Sequence, residues 1–135
     1  MTRTVQSMVD EALALITTHQ VDEARLMHGR DDVVFVDLRD PRELEREGVI
    51  PGAFHAPRGM LEFWVDPASP YHKAVFNQPD KHYLLFCAGG WRSALAARTM
   101  VEMGVPRVSH LHGGFTAWKA AGAPVADKPP GRHKG

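Results

Sequence analysis

The sequence predicts a single α/β domain in three layers, with a mostly parallel central sheet of about five strands flanked by helices. Two short apolar runs, residues 33–36 and 82–86, are rich in β-branched and aromatic side chains, as is typical of strands buried on both faces. Segments with helical spacing alternate with the predicted strands along the chain. A chain of 135 residues is long enough to fold as one such domain without disulfides.

The predicted elements follow one another in a regular order. Helices are predicted over residues 5–16, 21–27, 42–47, 59–65, 91–103 and 115–121, with a short helical turn over 73–76. Strands are predicted over residues 33–36, 54–56, 82–86 and 107–111. Asp40 and Pro41 mark the start of the third helix, and Gly104 ends the helix that begins at Trp91.

The chain divides into three parts. Residues 1–20 form an N-terminal helical extension, which we expect either to cover the sheet or to mediate dimerisation, and residues 21–126 form the α/β domain. Residues 127–135 combine prolines and a glycine with basic side chains, a composition that predicts a disordered basic tail. These features leave the oligomeric state open.

The composition excludes several classes of protein. Sixteen basic and 16 acidic residues give a formal net charge of zero, so charge favours neither a nucleic-acid nor a membrane partner. No apolar run is long enough to span a bilayer, and the N-terminus lacks the apolar core of a signal peptide. We therefore expect a cytoplasmic protein.

The one cysteine, Cys87, stands at the end of a predicted strand and directly before a predicted helix. In parallel sheets, ligands bind at the edge formed by the carboxyl ends of the strands, where Cys87 is expected. A helix N-terminus there adds unpaired amides and a partial positive charge. Gly89 and Gly90 allow the backbone turns that make successive amides converge on one point as an anion nest. A sulfur at that point is expected to be a thiolate, the nucleophilic form of cysteine.

A lone cysteine is more often a small buried hydrophobic residue, so an incidental cysteine in a strand–helix turn is the alternative interpretation. Arg92 favours the interpretation of Cys87 as a nucleophile, because it adds a permanent positive charge near the rim of the turn. Strand, cysteine, paired glycines, arginine and helix also occur in the order that the chemistry needs.

The segment from Cys87 to Ser93 resembles the active-site loop Cys-x-x-Gly-x-Arg-Ser of the rhodanese family. Four other segments resemble the same family in the same order along the chain. They are the strand ending in Asp-x-Arg at 34–39, the Ile-Pro-Gly-Ala turn within 48–53, Leu-His-Gly-Gly at 111–114 with Trp118, and Gly-Ala-Pro-Val at 122–125. Residues 21–126 are therefore identified as a rhodanese-like domain.

This resemblance implies a sulfurtransferase with Cys87 as its catalytic residue. The cysteine takes a sulfane sulfur from a donor, such as thiosulfate, another persulfide or a thiosulfonate, and holds it as a persulfide. It then passes the sulfur to cyanide, a small thiol or a protein cysteine. The cradle for the outer sulfur consists of Ala88, Gly89, Gly90, Trp91, Arg92 and Ser93. No cofactor is implied.

The resemblance also suggests supporting residues around the loop. Asp37 and Arg39 are expected beneath the loop as a structural polar pair, with Glu43 as a partner for Arg39. Arg58 follows a short predicted strand and is expected to face the mouth of the pocket. The aromatic-rich segment 61–64 is expected either to wall that mouth or simply to pack.

Two other functions remain open at this point. One is a phosphatase or arsenate reductase of the related Cys-x5-Arg type, in which a longer loop cradles a tetrahedral oxyanion. Cys87 and Arg92 have only four residues between them, which makes a tighter cradle. The other is a non-enzymatic module that carries sulfur or binds a protein partner.

Two weaker signals complete the analysis. His110 and His112 share one face of a predicted strand, but no further ligand completes a metal site, so no metal is expected. The variable loop positions Ala88, Gly89 and Trp91 carry no charge, unlike in relatives specialised for thiosulfate. Thiosulfate is therefore expected to be a poor surrogate for the real donor.

Overall fold

A computed structural model describes residues 2–129. Its strands are β1 (Thr17–His19), β2 (Val33–Asp37), β3 (Phe54–His55), β4 (His82–Phe86) and β5 (Val108–Leu111). Its helices are α1 (Val5–Leu15), α2 (Val21–Met27), α3 (Pro41–Glu47), α4 (Leu61–Val65), α5 (Trp91–Glu102) and α6 (Gly114–Ala120). Short 3-10 turns occur at Arg58–Met60 and Ala74–Phe76.

The five strands form one sheet in the order β1-β5-β4-β2-β3, and each pair of neighbours in it is parallel. This confirms the predicted α/β class with a five-stranded sheet. Because the strands are parallel, the loops that follow them all leave from one edge of the sheet. The described helices cover both faces, as a parallel sheet requires.

Strand β4 shows how the two faces are filled. Leu85 packs on one face together with Met100 of α5. Leu84 and Phe86 point to the other face and pack with Trp118 of α6. This alternation between two cores explains why the strand is a continuous apolar run in the sequence.

Strand β1 is an element that the sequence analysis missed. It pairs with β5 along its whole length and places Thr18 opposite His110. The sheet therefore includes residues that the sequence analysis assigned to the extension 1–20. Helix α1 packs against α5 through Val9, Ala12 and Ala94, all of which are buried.

The C-terminal part of the described chain closes against the start of the turn after α3. Val49 and Ala126 form an antiparallel bridge with backbone hydrogen bonds of 2.8 and 2.9 Å. Residues 130–135 of the predicted tail lie outside the described residues. No helix within residues 2–129 is long and apolar enough to cross a membrane.

Candidate functional site

The Cys87 loop, residues 87–92, connects β4 to α5 at the edge of the sheet where the parallel strands end. Gly90 caps α5 with a φ of 113°, in the left-handed region that favours glycine. This backbone conformation helps to turn the chain from the strand into the helix within the four residues 87–90. Cys87 itself is only 1% exposed.

The sulfur of Cys87 lies at the N-terminus of α5. The Gly90 amide donates to Sγ at 3.2 Å, and the Ser93 hydroxyl lies 3.7 Å from the same atom. No acceptor within residues 2–129 engages the other loop amides, those of Ala88, Gly89, Trp91 and Arg92. One amide of the predicted cradle, that of Gly90, thus contacts the sulfur.

Helix α6 holds the first two loop residues from behind. The Phe115 amide donates to the Cys87 carbonyl at 2.8 Å, and the Thr116 amide donates to the Ala88 carbonyl at 3.1 Å. A Cβ atom at Gly114 would lie 2.4 Å from the Cys87 carbonyl oxygen, so only glycine fits there. The sequence analysis noted this glycine only as part of the Leu-His-Gly-Gly segment and missed its contact with the loop.

Asp37 and Arg39 form a buried ion pair beneath the loop. Arg39 donates through Nε at 3.0 Å and Nη2 at 2.8 Å to the two oxygens of Asp37. The same Nη2 donates to the Gly48 carbonyl at 2.9 Å. The guanidinium lies 4.1 Å from the centre of the Phe115 ring, so the pair joins β2 to α6.

The predicted pairing of Glu43 with Arg39 is wrong, because Glu43 binds Arg92 instead. The two guanidinium–carboxylate contacts measure 2.8 and 3.0 Å, while Arg39 donates to Asp37 and Gly48. The hydrogen bond from Arg92 lowers the pKa of Glu43 to about 2. The charge of Arg92 is therefore offset by a carboxylate.

Ser93 connects the Cys87 sulfur to two residues of neighbouring strands. Its hydroxyl lies 2.9 Å from Nδ1 of His110, and Nε2 of His110 lies 3.1 Å from the Thr18 hydroxyl. Burial, together with His112 and His19, lowers the pKa of His110 to about 4. Sequence reasoning missed the Thr18 contact because it requires β1, which was not predicted, and it considered His110 only as a metal ligand.

A comparison with protein-family models matches residues 20–121 to the rhodanese-like domain. The chain belongs to the rhodanese-like domain family. A sulfurtransferase of Allochromatium vinosum is 30% identical over 95 residues, which cover 70% of this chain and 79% of that protein. The thiosulfate sulfurtransferase GlpE of Pseudoalteromonas translucida is 34% identical over 92 residues, covering 68% of this chain and 78% of that protein.

A solved structure with a close fold comes from Rhodopseudomonas palustris. This protein, RPA3614, is described as a protein of unknown function and a possible tyrosine phosphatase. It is 52% identical to this rhodanese-like chain, with a TM-score of 0.91, over 93% of this chain and 96% of the other. The possible activity named for RPA3614 differs from that of the two sulfurtransferases.

Two predicted features of this rhodanese-like domain lie away from the Cys87 loop. Arg58 pairs with Glu62 at 2.8 Å and lines a cleft with residues of α1 and α5, none of them from the loop 87–92. The structure therefore does not bring Arg58 together with the loop at this cleft, and its position at the mouth of the pocket stays a prediction. Trp64 packs edge-on against Phe54, with ring centres 6.0 Å apart, which is the packing alternative.

Within residues 2–129, no three or more histidine, cysteine or carboxylate side chains form a cluster able to hold a metal. A cleft of about 440 Å³ opens beside the loop instead. It is lined by Ala88 of the loop, Arg39 and Glu43, and residues of α6 that include Thr116 and Lys119. This cleft places charged side chains of both signs beside the loop.

Proposed function

We propose that this rhodanese-like protein is a sulfurtransferase that carries sulfur as a persulfide on Cys87. The observation that carries the proposal is the contact of the Gly90 amide with Cys87 Sγ, within a loop of only four residues between Cys87 and Arg92. A short loop of this kind brings amides to a single sulfur atom. The two sulfurtransferase relatives support the same activity.

In the first half-reaction, the Cys87 thiolate attacks the sulfane sulfur of the donor. A new sulfur–sulfur bond forms, and the bond between the sulfane sulfur and the rest of the donor breaks. The leaving group takes the bonding pair, and with thiosulfate it departs as sulfite. The amides of Ala88, Gly89, Trp91 and Arg92, which lack acceptors among the described residues, are suited to bind the negative outer sulfur.

In the second half-reaction, an acceptor attacks the outer sulfur, and Cys87 departs as a thiolate. Because Cys87 is the only cysteine of the chain, no second thiol of the same molecule can serve as the acceptor. The acceptor is therefore external: cyanide, a small thiol or a cysteine of a partner protein. Two half-reactions with one covalent intermediate give ping-pong kinetics.

The donor that we propose is a persulfide or a thiosulfonate in preference to thiosulfate. Thiosulfate carries two negative charges, and the loop side chains at positions 88, 89 and 91 are uncharged. Arg92 is the loop's cation, and its charge is offset by Glu43 at 2.8 Å. Little net positive charge is therefore left at the loop to attract a dianion.

A phosphatase is the second candidate, because the related protein RPA3614 is described as a possible tyrosine phosphatase. Two features of the loop argue against it. The loop is one residue shorter than in enzymes of the Cys-x5-Arg type, and Arg92 binds Glu43 through both of its terminal nitrogens. An arginine held in this way has fewer free donors for a phosphate ester.

Intact mass spectrometry with a panel of donors tests the proposal. We expect an adduct one sulfur atom heavier on the parent protein, absent from Cys87→Ser, and cleared when cyanide or a thiol is added. An adduct that no small acceptor clears would favour a sulfur carrier. No adduct with any donor, together with p-nitrophenyl phosphate turnover that Cys87→Ser abolishes, would overturn the proposal in favour of a phosphatase.

A further inference from the structure

A chain of buried polar contacts leads from the Cys87 sulfur to strand β1. Ser93 Oγ lies 3.7 Å from Cys87 Sγ and 2.9 Å from His110 Nδ1, and His110 Nε2 lies 3.1 Å from Thr18 Oγ1. Ser93 and His110 are both buried, with His110 2% exposed. Thr18 lies outside the residues that match the family model, so the family assignment gives it no role.

Counting protons leaves two possible directions for these hydrogen bonds. The Ser93 hydroxyl has one proton and two lone pairs, and it also lies 3.2 Å from the Gly90 carbonyl. If His110 carries its proton on Nδ1, it donates to Ser93, and the Ser93 proton remains free for the Gly90 carbonyl. If the proton is on Nε2, Ser93 must donate to His110, and its proton is no longer available to the carbonyl or the sulfur.

Thr18 decides between the two forms of the imidazole. Within residues 2–129 its hydroxyl has no hydrogen-bonding partner other than His110, so Nε2 is the one protein acceptor for its proton, and that proton would lack a protein acceptor if Nε2 were protonated. A proton donated to Nε2 favours the imidazole that carries its own proton on Nδ1. The low pKa of His110 supports this, because a neutral ring has a single N–H to place.

We propose that Thr18 and His110 orient the Ser93 hydroxyl so that its proton is available to the Cys87 thiolate. Once the thiol has lost its proton to solvent, the Ser93 hydroxyl rotates from the Gly90 carbonyl to the sulfur. His110 and Thr18 are positioning residues, since neither contacts the sulfur. The inference rests on the proposed function of Cys87 as a nucleophile.

The protonated nitrogen of His110 can be read directly. In protein labelled with ¹⁵N-histidine, we expect the Nδ1–H form at neutral pH, identified by the different chemical shifts of protonated and unprotonated ring nitrogens. Thr18→Ser keeps the hydroxyl and should keep this form. Thr18→Val is nearly isosteric but lacks the donor, so it should shift the population toward Nε2–H. An Nε2–H form in the parent protein would overturn the proposal.

Alkylation of Cys87 by iodoacetamide at fixed pH measures the effect on the thiolate, because no other cysteine reacts. Ser93→Ala should slow the reaction about tenfold, as expected for loss of a hydrogen bond to a charged group. His110→Phe removes the donor that fixes the Ser93 hydroxyl but leaves its proton free, so it should slow the reaction less than Ser93→Ala, by about threefold, and Thr18→Val should also slow it by about threefold. Thr18→Ser is the matched control and should react like the parent protein.

The double variant Ser93→Ala, His110→Phe separates positioning from a merely structural role. If His110 acts through Ser93, the double variant reacts no more slowly than Ser93→Ala alone. Multiplied effects, or equal rates for Thr18→Val and Thr18→Ser, would overturn the proposal. Circular dichroism checks that each variant is folded. These readouts need no sulfur transfer, so they hold even if the mass-spectrometry test of the function fails.

Discussion

Two arginine–carboxylate pairs flank the Cys87 loop, and their surroundings differ more than their geometry does. Asp37–Arg39 beneath the loop and Glu43–Arg92 at its rim both have two short contacts, between 2.8 and 3.0 Å. The side chains of the lower pair are 2% and 1% exposed, respectively. Those of the rim pair are 19% and 40% exposed.

This difference in exposure assigns the two pairs different tasks. Removing one partner of a buried pair leaves a charge without water or counter-ion, so the lower pair controls whether the domain folds. A partly exposed pair contributes little to stability, because water solvates either partner alone. The rim pair instead sets the net charge beside the reactive cysteine.

The largest expected effect comes from breaking the lower pair. Asp37→Ala leaves Arg39 unpaired in the core and should lower the free energy of unfolding by about 3–5 kcal/mol, measured by urea denaturation. Removing both charges, as in Asp37→Leu with Arg39→Met, should recover much of that loss. Arg42→Ala at the surface is the control and should change the free energy of unfolding little. A loss below about 1 kcal/mol for Asp37→Ala would show that the buried pair contributes no more to stability than an exposed pair does.

His110 extends the comparison to a buried group that has no counter-ion. Its pKa is about 4 in the folded protein and near 6.5 in the unfolded chain. The unfolded chain therefore binds a proton first as pH falls, and stability is lost between about pH 6.5 and 4, by up to about 3 kcal/mol. His110→Phe cannot titrate and should lose less over that range in parallel urea titrations. Identical pH slopes would contradict the assignment.

A smaller effect is expected on the charge preference of Cys87. Glu43→Gln leaves Arg92 uncompensated, which should raise the rate of alkylation by iodoacetate relative to neutral iodoacetamide, by up to about fivefold. Arg92→Ala should lower the same ratio. A ratio that neither variant changes would show that the rim pair exerts no field on the sulfur.

The smallest effect is the contribution of the rim pair to stability. Arg92 holds the pKa of Glu43 at about 2, below its ordinary value of 4.5. The stabilisation is therefore complete above about pH 4.5 and is lost as pH falls toward 2. Because the pair is partly exposed, parent and Glu43→Gln should differ by less than about 1 kcal/mol at pH 6, and the difference should fall to roughly a quarter of that at pH 2.5. A difference that is as large at pH 2.5 as at pH 6 would rule out titration of Glu43 as its cause.

Much of the fold could be predicted because its signals are local. Apolar runs identified β2 and β4, and glycine and proline marked the ends of the helices between them. Strand β1 was missed because three residues are too few for any periodicity, and Thr17–His19 are recognisable as a strand only beside β5. The chain division at residues 20 and 126 and the cytoplasmic location stay predictions.

The residues of the candidate site that are contiguous in sequence could be predicted, but their contacts with other elements could not. The loop from Cys87 to Ser93 is contiguous, so its residue order revealed the nucleophile and the helix start. The partner of Arg92 is 49 residues away along the chain, so the loop sequence did not reveal it, and Glu43 was assigned to Arg39 instead. Contacts between separate elements depend on register and side-chain direction, which a residue pattern does not contain.

The hydrogen bonds from α6 to the loop constrain how this site can change during evolution. The carbonyls of Cys87 and Ala88 are fixed from behind, and Gly114 leaves no space for them to move back. Gly89 faces solvent, with no atom within 4 Å of a Cβ built there. An inserted residue therefore has one place to enter, on the outer side of the loop, where it enlarges the cradle without disturbing the core. The length of the loop can therefore change at its outer side while the contacts between the loop and α6 stay intact.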